Sequence, residues 1–411
     1  MGKNKKEVNY MRKYAAFRMP ETIHYGYNTF EKVGEEAALK GKKALIISDQ
    51  VMDDLGYVSR CQSYLLSAEV KSVVYLGVET EPVDTYVEEA LHIFQEEKCD
   101  VLISLGGGSC IDVAKAVAIL VTNGGSIADY MNKKTIVSVS PVPHISIPTT
   151  AGTGSEATDV TVITHTASNV KMMIKQPPLM PDVAIVDSFL THSSPQSVTA
   201  ATGIDALSHA IEAYISKLAQ PMTNLMALSS MELIVNNIKR AYTTSDDVQA
   251  RQAMSLGSLQ AGIAFSNASV CLVHGMSRPI GALFNVPHGF SNAMLLPVAL
   301  EFSKDSCVER LADLGRIFDP AATKLTDDEA AEIAVTSVKN LCLELNIPNL
   351  QQWGIDQKSF QQAIPKMAED ALLSGSPANN PRVPSQKEIE HLYDICYDFD
   401  FSAKVSQVNL N

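Results

Sequence analysis

Asp205 and His209 stand four positions apart in A-T-G-I-D-A-L-S-H-A-I-E-A-Y, and the apolar periodicity around them reads as a helix. Residues at i and i+4 share one helical face, so a carboxylate and an imidazole can point at the same atom. Further along, C-L-V-H-G-M-S-R-P-I-G-A-L-F-N-V-P-H-G-F-S-N-A-M-L-L-P (271–297) carries His274 and His288, each followed by glycine in an otherwise apolar run. Three imidazoles and one carboxylate suit a divalent transition metal; iron, zinc and manganese all accept that donor set. By spacing alone, a D-x-x-x-H pair is commonly an ordinary solvated pair, and a histidine beside glycine a turn residue. The apolar setting favours ligation, because an unpaired ring or carboxylate buried there would be costly.

The rest of the chain must position these groups. At 411 residues, with 46% hydrophobic and 19% charged side chains, it exceeds one ordinary core, so two domains of a compact globular protein are expected. A net charge of −13, from 33 basic against 46 acidic side chains, argues against a nucleic-acid partner, which would need clustered Lys and Arg. Seven cysteines lack C-x-x-C spacing, as reduced thiols of a cytoplasmic protein would. The basic start M-G-K-N-K-K-E-V-N-Y-M-R-K has no apolar run behind it, so no signal peptide is expected and the first ten residues read as a loose extension. No run is long and apolar enough to predict a membrane partner.

From Lys42 to Asp187, buried-strand patterns alternate with helical ones. The strands are A-L-I-I-S-D (44–49), K-S-V-V-Y-L (71–76), V-L-I-S-L (101–105), I-S-I-P-T-T (145–150) and V-A-I-V-D (183–187); helical periodicity covers 83–97 and 111–121. Such alternation predicts βαβ units and a parallel sheet covered on both faces. After Pro195 helical patterns follow one another to Tyr397. The reading is an α/β N-terminal domain with a parallel, Rossmann-like sheet, 1–194, and an all-α C-terminal domain, 195–411. Strand 101–105 runs into Gly106, Gly107 and Gly108 with a helix behind them, an arrangement that admits a pyrophosphate to backbone N–H groups. It is not the usual G-x-G-x-x-G, and tight turns use glycine as well. The loop P-T-T-A-G-T-G-S-E (148–156) sits at another strand's C-terminal end, where open α/β sheets receive ligands, although it also fits a plain Gly/Thr turn.

G-G-G-S-x-x-D-x-A-K (106–115), P-T-T-A-G-T-G-S-E (148–156), A-A-T-G-x-D-A-x-x-H-A-x-E (200–212), H-G-M (274–276), P-H-G-x-x-N-A-x-L-L-P (287–297) and N-P-R (380–382) occur in the order seen in the iron-containing (group III) alcohol dehydrogenases. From about Tyr14 onward the chain resembles that family, whose fold is dehydroquinate synthase-like, and within it lactaldehyde reductase and 1,3-propanediol dehydrogenase. The resemblance implies a metal, iron before zinc or manganese, on Asp205, His209, His274 and His288. It also implies NAD(H) on Gly106, Gly107, Gly108, Ser109, Asp112, Thr149, Thr150 and Thr153, with Lys171 near the nicotinamide ribose. Asp49 resembles the acidic residue that holds the adenosine ribose and repels a 2′-phosphate, although its place before the glycines is not the usual one. The implied activity is reduction of short aldehydes by a homodimer or higher homo-oligomer; a lyase of the dehydroquinate synthase kind and a filament-forming dehydrogenase-like protein are the alternatives.

Two departures stand out. H-G-M-S-R puts Arg278 where many relatives have a histidine, and T-E-P (80–82) puts Glu81 where they often have asparagine. Arginine cannot shuttle a proton at working pH, but its planar fork suits an anion, so Arg278 points either to an acid-bearing aldehyde, as in 4-hydroxybutyrate or sulfoacetaldehyde reductase-like members, or to an internal ion pair. Phe265 either walls the substrate pocket or packs in the core.

Overall fold

The computed structural model describes residues 15–168 and 170–403; the loose extension expected at the N-terminus lies outside them. The first half contains, in order, β1 (Thr22–Gly26), α1 (Lys32–Lys40), β2 (Lys43–Ile47), α2 (Gln50–Asp54), α3 (Tyr57–Ser67), β3 (Lys71–Tyr75), α4 (Asp84–Glu96), β4 (Val101–Gly106), α5 (Gly108–Asn123), β5 (His144–Pro148), β6 (Val160–His165), β7 (Val170–Lys175) and β8 (Val183–Asp187). Six strands form one parallel sheet in the order β1-β8-β5-β4-β2-β3, and β6 and β7 form a separate antiparallel hairpin.

Successive residues of β2 serve opposite faces. Leu45 and Ile47 pack with Val87 and Phe94 of α4 and Val113 of α5, whereas Ala44 and Ile46 pack with Val33 of α1 and Val58 and Leu65 of α3. Burial on both faces explains why the strand reads as an unbroken apolar run. From β2 the chain leaves through α2 and α3 to β3 on one side; from β4 it leaves through α5 toward β5 on the other. Neighbouring strands with diverging exits open a crevice at their C-terminal ends, where such sheets receive ligands.

The sheet expected from the sequence is present, with local differences. No strand is expected before Lys42, yet β1 pairs with β8 at the sheet edge; its T-I-H-Y-G is only half-buried and lacks apolar continuity. Asp49 does not end a strand: it lies beyond β2 and caps α2, its Oδ1 accepting from the Met52 backbone N–H at 2.9 Å. Likewise β5 stops at Pro148, which has no N–H to continue a ladder, and leaves Thr149 and Thr150 in the loop.

The second half is helical: α6 (Gln196–Ile215), α7 (Pro221–Thr243), α8 (Val248–Ala268), α9 (Leu272–Phe284), α10 (His288–Ser303), α11 (Val308–Phe318), α12 (Asp327–Glu344), α13 (Gln357–Leu373) and α14 (Gln386–Tyr397). One core unites them, and α6 and α10 are apolar on nearly every side because neighbours enclose them. Among the described residues no single helix is long and apolar enough to cross a membrane, and all seven cysteines are free.

Candidate functional site

Helix α6 presents Asp205 and His209 on one face, α9 supplies His274, and His288 is the first residue of α10. One ligand atom from each of the four lies within 4.8 Å of all the others. Asp205 Oδ1 is 3.9 Å from His209 Nδ1, 3.6 Å from His274 Nε2 and 4.0 Å from His288 Nε2. The glycines after the two histidines permit this gathering. A Cβ on Gly289 would stand 2.8 Å from the Ala201 carbonyl oxygen of α6, and one on Gly275 2.7 Å from Pro377 Cγ. Asp205, His209 and His274 are buried, whereas the His288 side chain is 34% exposed, so the site opens beside His288.

Glu212, three positions after His209, had no role in the sequence reading. Its Oε2 accepts from His274 Nδ1 at 2.7 Å and from the Cys271 backbone N–H at 2.9 Å, and its Oε1 accepts from the Val273 N–H at 2.6 Å. With its proton held on Nδ1, His274 turns the Nε2 lone pair toward Asp205, as metal-bound histidines are oriented elsewhere. Glu212→Gln should therefore weaken divalent-metal binding by about 10–100-fold, measured by chelator competition.

The electrostatics suit a cation. Burial alone would raise the Asp205 pKa, yet the imidazoles of His209, His288 and His274 hold its carboxyl well below the usual range. Burial lowers the pKa of His209 to about 3 and that of His288 to about 4, so both rings carry lone pairs at neutral pH. His209 stacks between Phe265, at 4.2 Å and 16°, and His274, at 4.3 Å. Phe265 thus braces a site residue in addition to packing against the core. Two buried polar atoms at this point lack any hydrogen-bond partner, His209 Nδ1 and Asn292 Oδ1. Asn292 Nδ2 lies 2.6 Å from Asp205 Oδ1, 3.0 Å from His274 Nε2 and 3.1 Å from His288 Nε2. A primary amide has two protons for these three acceptors. Surplus lone pairs converging on one buried point fit a divalent ion.

The sheet edge brings the expected cofactor residues together. Gly107 is the N-cap of α5, and a Cβ there would find nothing nearer than Thr150 at 3.9 Å; one on Gly108 would meet Thr153 Cγ2 at 2.9 Å. The two loops therefore touch, with Ser109 in the first turn of α5 and the Thr149 N–H bonded to the Gly106 carbonyl at 3.0 Å. Strand order resolves the odd position of Asp49. Since β2 lies beside β4, Asp49 borders the glycine loop, with its Oδ2 3.3 Å from a Cβ on Gly106. Asp112 is turned into the scaffold, accepting from Ser155 Oγ at 2.6 Å and from the Val162 N–H at 2.7 Å. Below it, buried Lys115 donates to Ser155 Oγ, Thr158 Oγ1 and the Val160 carbonyl, fixing the second loop.

Lys171 Nζ pairs with Glu81 Oε2 at 2.9 Å and stands 3.2 Å from a Cβ on Gly281 of α9; both charges act on His288. Arg278, one turn after His274, donates from Nη1 to Ser376 Oγ at 3.1 Å. No carboxylate lies within 4.0 Å of it among the described residues, so the internal ion pair considered for it is absent.

Similarity to known proteins agrees with this geometry. Residues 20–188 match the model of the iron-containing alcohol dehydrogenases, and residues 199–397 that of the Fe-containing alcohol dehydrogenase family, C-terminal. The chain is 36% identical over 381 residues to 1,3-propanediol dehydrogenase of Klebsiella pneumoniae, covering 92% of this chain and 97% of that protein. A crystal structure of 1,3-propanediol oxidoreductase superposes with a TM-score of 0.90 at 35% identity, covering 94% of this chain and 100% of that one. Sulfoacetaldehyde reductase from Bifidobacterium kashiwanohense, in complex with NAD+, gives 0.83 at 27% identity, covering 95% and 100%. The chain belongs to the iron-containing alcohol dehydrogenase family, oxidoreductases that act on alcohols.

Proposed function

We propose that the protein is an NAD(H)-linked, metal-dependent dehydrogenase working mainly as a reductase of short aldehydes, acid-bearing ones among them. The observation that carries the reading is the convergence of Asp205, His209, His274 and His288 beside the open edge at His288. An ion held by those four, Fe2+ before Zn2+ or Mn2+, would act as a Lewis acid on the substrate oxygen while the nicotinamide carries hydride. The protein's own contribution is positional. Gly107, Gly108 and Ser109 offer backbone N–H groups at a helix start for the pyrophosphate, with Thr149, Thr150 and Thr153 of the second loop alongside. Asp49 supplies the carboxylate that favours NAD(H) over a 2′-phosphorylated cofactor, and Lys171 serves the nicotinamide side. Phe265 and the buried flank of His209 keep water from one side of the reacting group. The division at 194/195, a homodimer or higher homo-oligomer and a cytoplasmic location belong to the same proposal. With an oxidoreductase family in hand, neither the lyase nor the filament alternative has an observation in its favour.

Arg278 supports the acid-bearing substrate. Burial lowers its pKa to about 10, against an opposing pull from Glu212, which leaves it charged at neutral pH. A guanidinium with one neutral partner is open to a carboxylate or sulfonate. Arg278→Ala should lower kcat/KM for succinic semialdehyde or sulfoacetaldehyde by about 100-fold, the size of a lost charge-assisted hydrogen bond of ~3 kcal/mol, and change that for propanal only a few-fold. Equal losses on anionic and neutral aldehydes would remove the anion role.

A further inference from the structure

We propose that the Glu81 carboxylate makes the cofactor site respond to the charge of the nicotinamide ring, so that the chain holds the oxidised, cationic nucleotide more tightly than the reduced, neutral one. The proposal rests on the NAD(H) reading above, in which Lys171 serves the nicotinamide side. Glu81 stands where relatives often have a neutral asparagine, so this chain adds one negative charge there. The loop that carries it is stitched to the β6–β7 hairpin. The Thr164 N–H of β6 donates to the Pro82 carbonyl at 2.8 Å, Val83 bridges to Thr164, and Asp84 Oδ1 accepts from the Thr166 N–H at 3.1 Å. From that anchored position Glu81 Oε2 meets Lys171 Nζ of β7 at 2.9 Å, and Lys171 lies against α9, 3.2 Å from a Cβ on Gly281. The pair therefore lies where the α/β half meets the helical half, and the Glu81 charge acts on a residue of each, Asp112 of α5 and His288 of α10. Giving up hydride turns a neutral dihydronicotinamide into a pyridinium cation, and a fixed carboxylate on that side of the site stabilises the charge as it develops, which favours aldehyde reduction. Lys171 offsets part of the attraction, and the Glu81 side chain is 50% exposed, so water screens more of it; the preference amounts to about fivefold in relative affinity.

Equilibrium binding to the full-length holoenzyme, without substrate, tests this: Kd for NADH from nucleotide fluorescence and Kd for NAD+ by competition against it. In Glu81→Gln, which keeps the shape and removes the charge, the ratio of the NAD+ to the NADH constant should rise about fivefold, and the rise should shrink in high salt. Glu81→Asp, which keeps the charge, should leave the ratio within about twofold of wild type. A half-exposed loop residue should tolerate both changes, with melting temperatures within a few degrees of wild type. Two constants that move together in Glu81→Gln, leaving the ratio unchanged, would overturn the proposal, because a carboxylate that merely tethers Lys171 affects both nucleotides alike. So would a ratio that shifts as far in Glu81→Asp as in Glu81→Gln, since shape rather than charge would then set it. A wild-type chain that binds neither nucleotide would remove the NAD(H) reading, and the proposal with it.

Discussion

Replacing Asp205 by alanine is expected to lower kcat/KM for aldehyde reduction by about 1,000-fold or more, the scale of losing a Lewis acid worth several kcal/mol. Asp205 is the only carboxylate among the four gathered donors, and its Oδ1 lies within 4.0 Å of a nitrogen on each of the three imidazoles. Without it the ion is met directly only by imidazole rings, on a flank where His209 and His274 are buried away from water. Bound metal, counted by mass spectrometry, should fall with activity while the far-ultraviolet circular dichroism of the helical half is retained. An alanine variant with wild-type turnover would mean that this cluster is an ordinary buried polar network.

Gly107→Val is the complementary experiment on the sheet edge. Its φ of −72° is open to any residue, and the nearest atoms to an added Cβ are 3.9 Å away, so the variant should fold. The new side chain would occupy space in front of the α5 N-terminus, where backbone N–H groups would otherwise meet a pyrophosphate. NADH affinity, read from nucleotide fluorescence, should fall by about 100-fold (~2.7 kcal/mol), with the melting temperature within a few degrees of wild type. Gly108→Val is less informative, because its Cβ would press on Thr153 at 2.9 Å and disturb the fold as well. Unchanged NADH binding in Gly107→Val would place the cofactor elsewhere.

What could be read in advance followed from local physics. Strands buried on both faces, such as Leu45 to Ile47 and Val101 to Leu105, appear as apolar runs, and the i,i+4 pair Asp205/His209 marks one helical face. The half-buried β1 and the β6–β7 hairpin carry weaker patterns, and neither was drawn as part of the architecture. Asp49 shows what a linear spacing cannot hold: its neighbourhood with the glycine loop comes from β2 lying beside β4, which is a property of strand order. Glu212 and Asn292 sit at helical spacing from His209 and His288 and were visible as letters. Only the packing of α6, α9 and α10 reveals that they turn toward the same imidazoles. The Glu81–Lys171 pair, 90 residues apart, is likewise a tertiary fact.

The most direct test of the central claim is anomalous diffraction at the zinc edge from crystals soaked in Zn2+. The account predicts one strong peak within about 2.0–2.2 Å of a carboxylate oxygen of Asp205 and a ring nitrogen of each of His209, His274 and His288. A peak at another place, or none there at full soak, would contradict it.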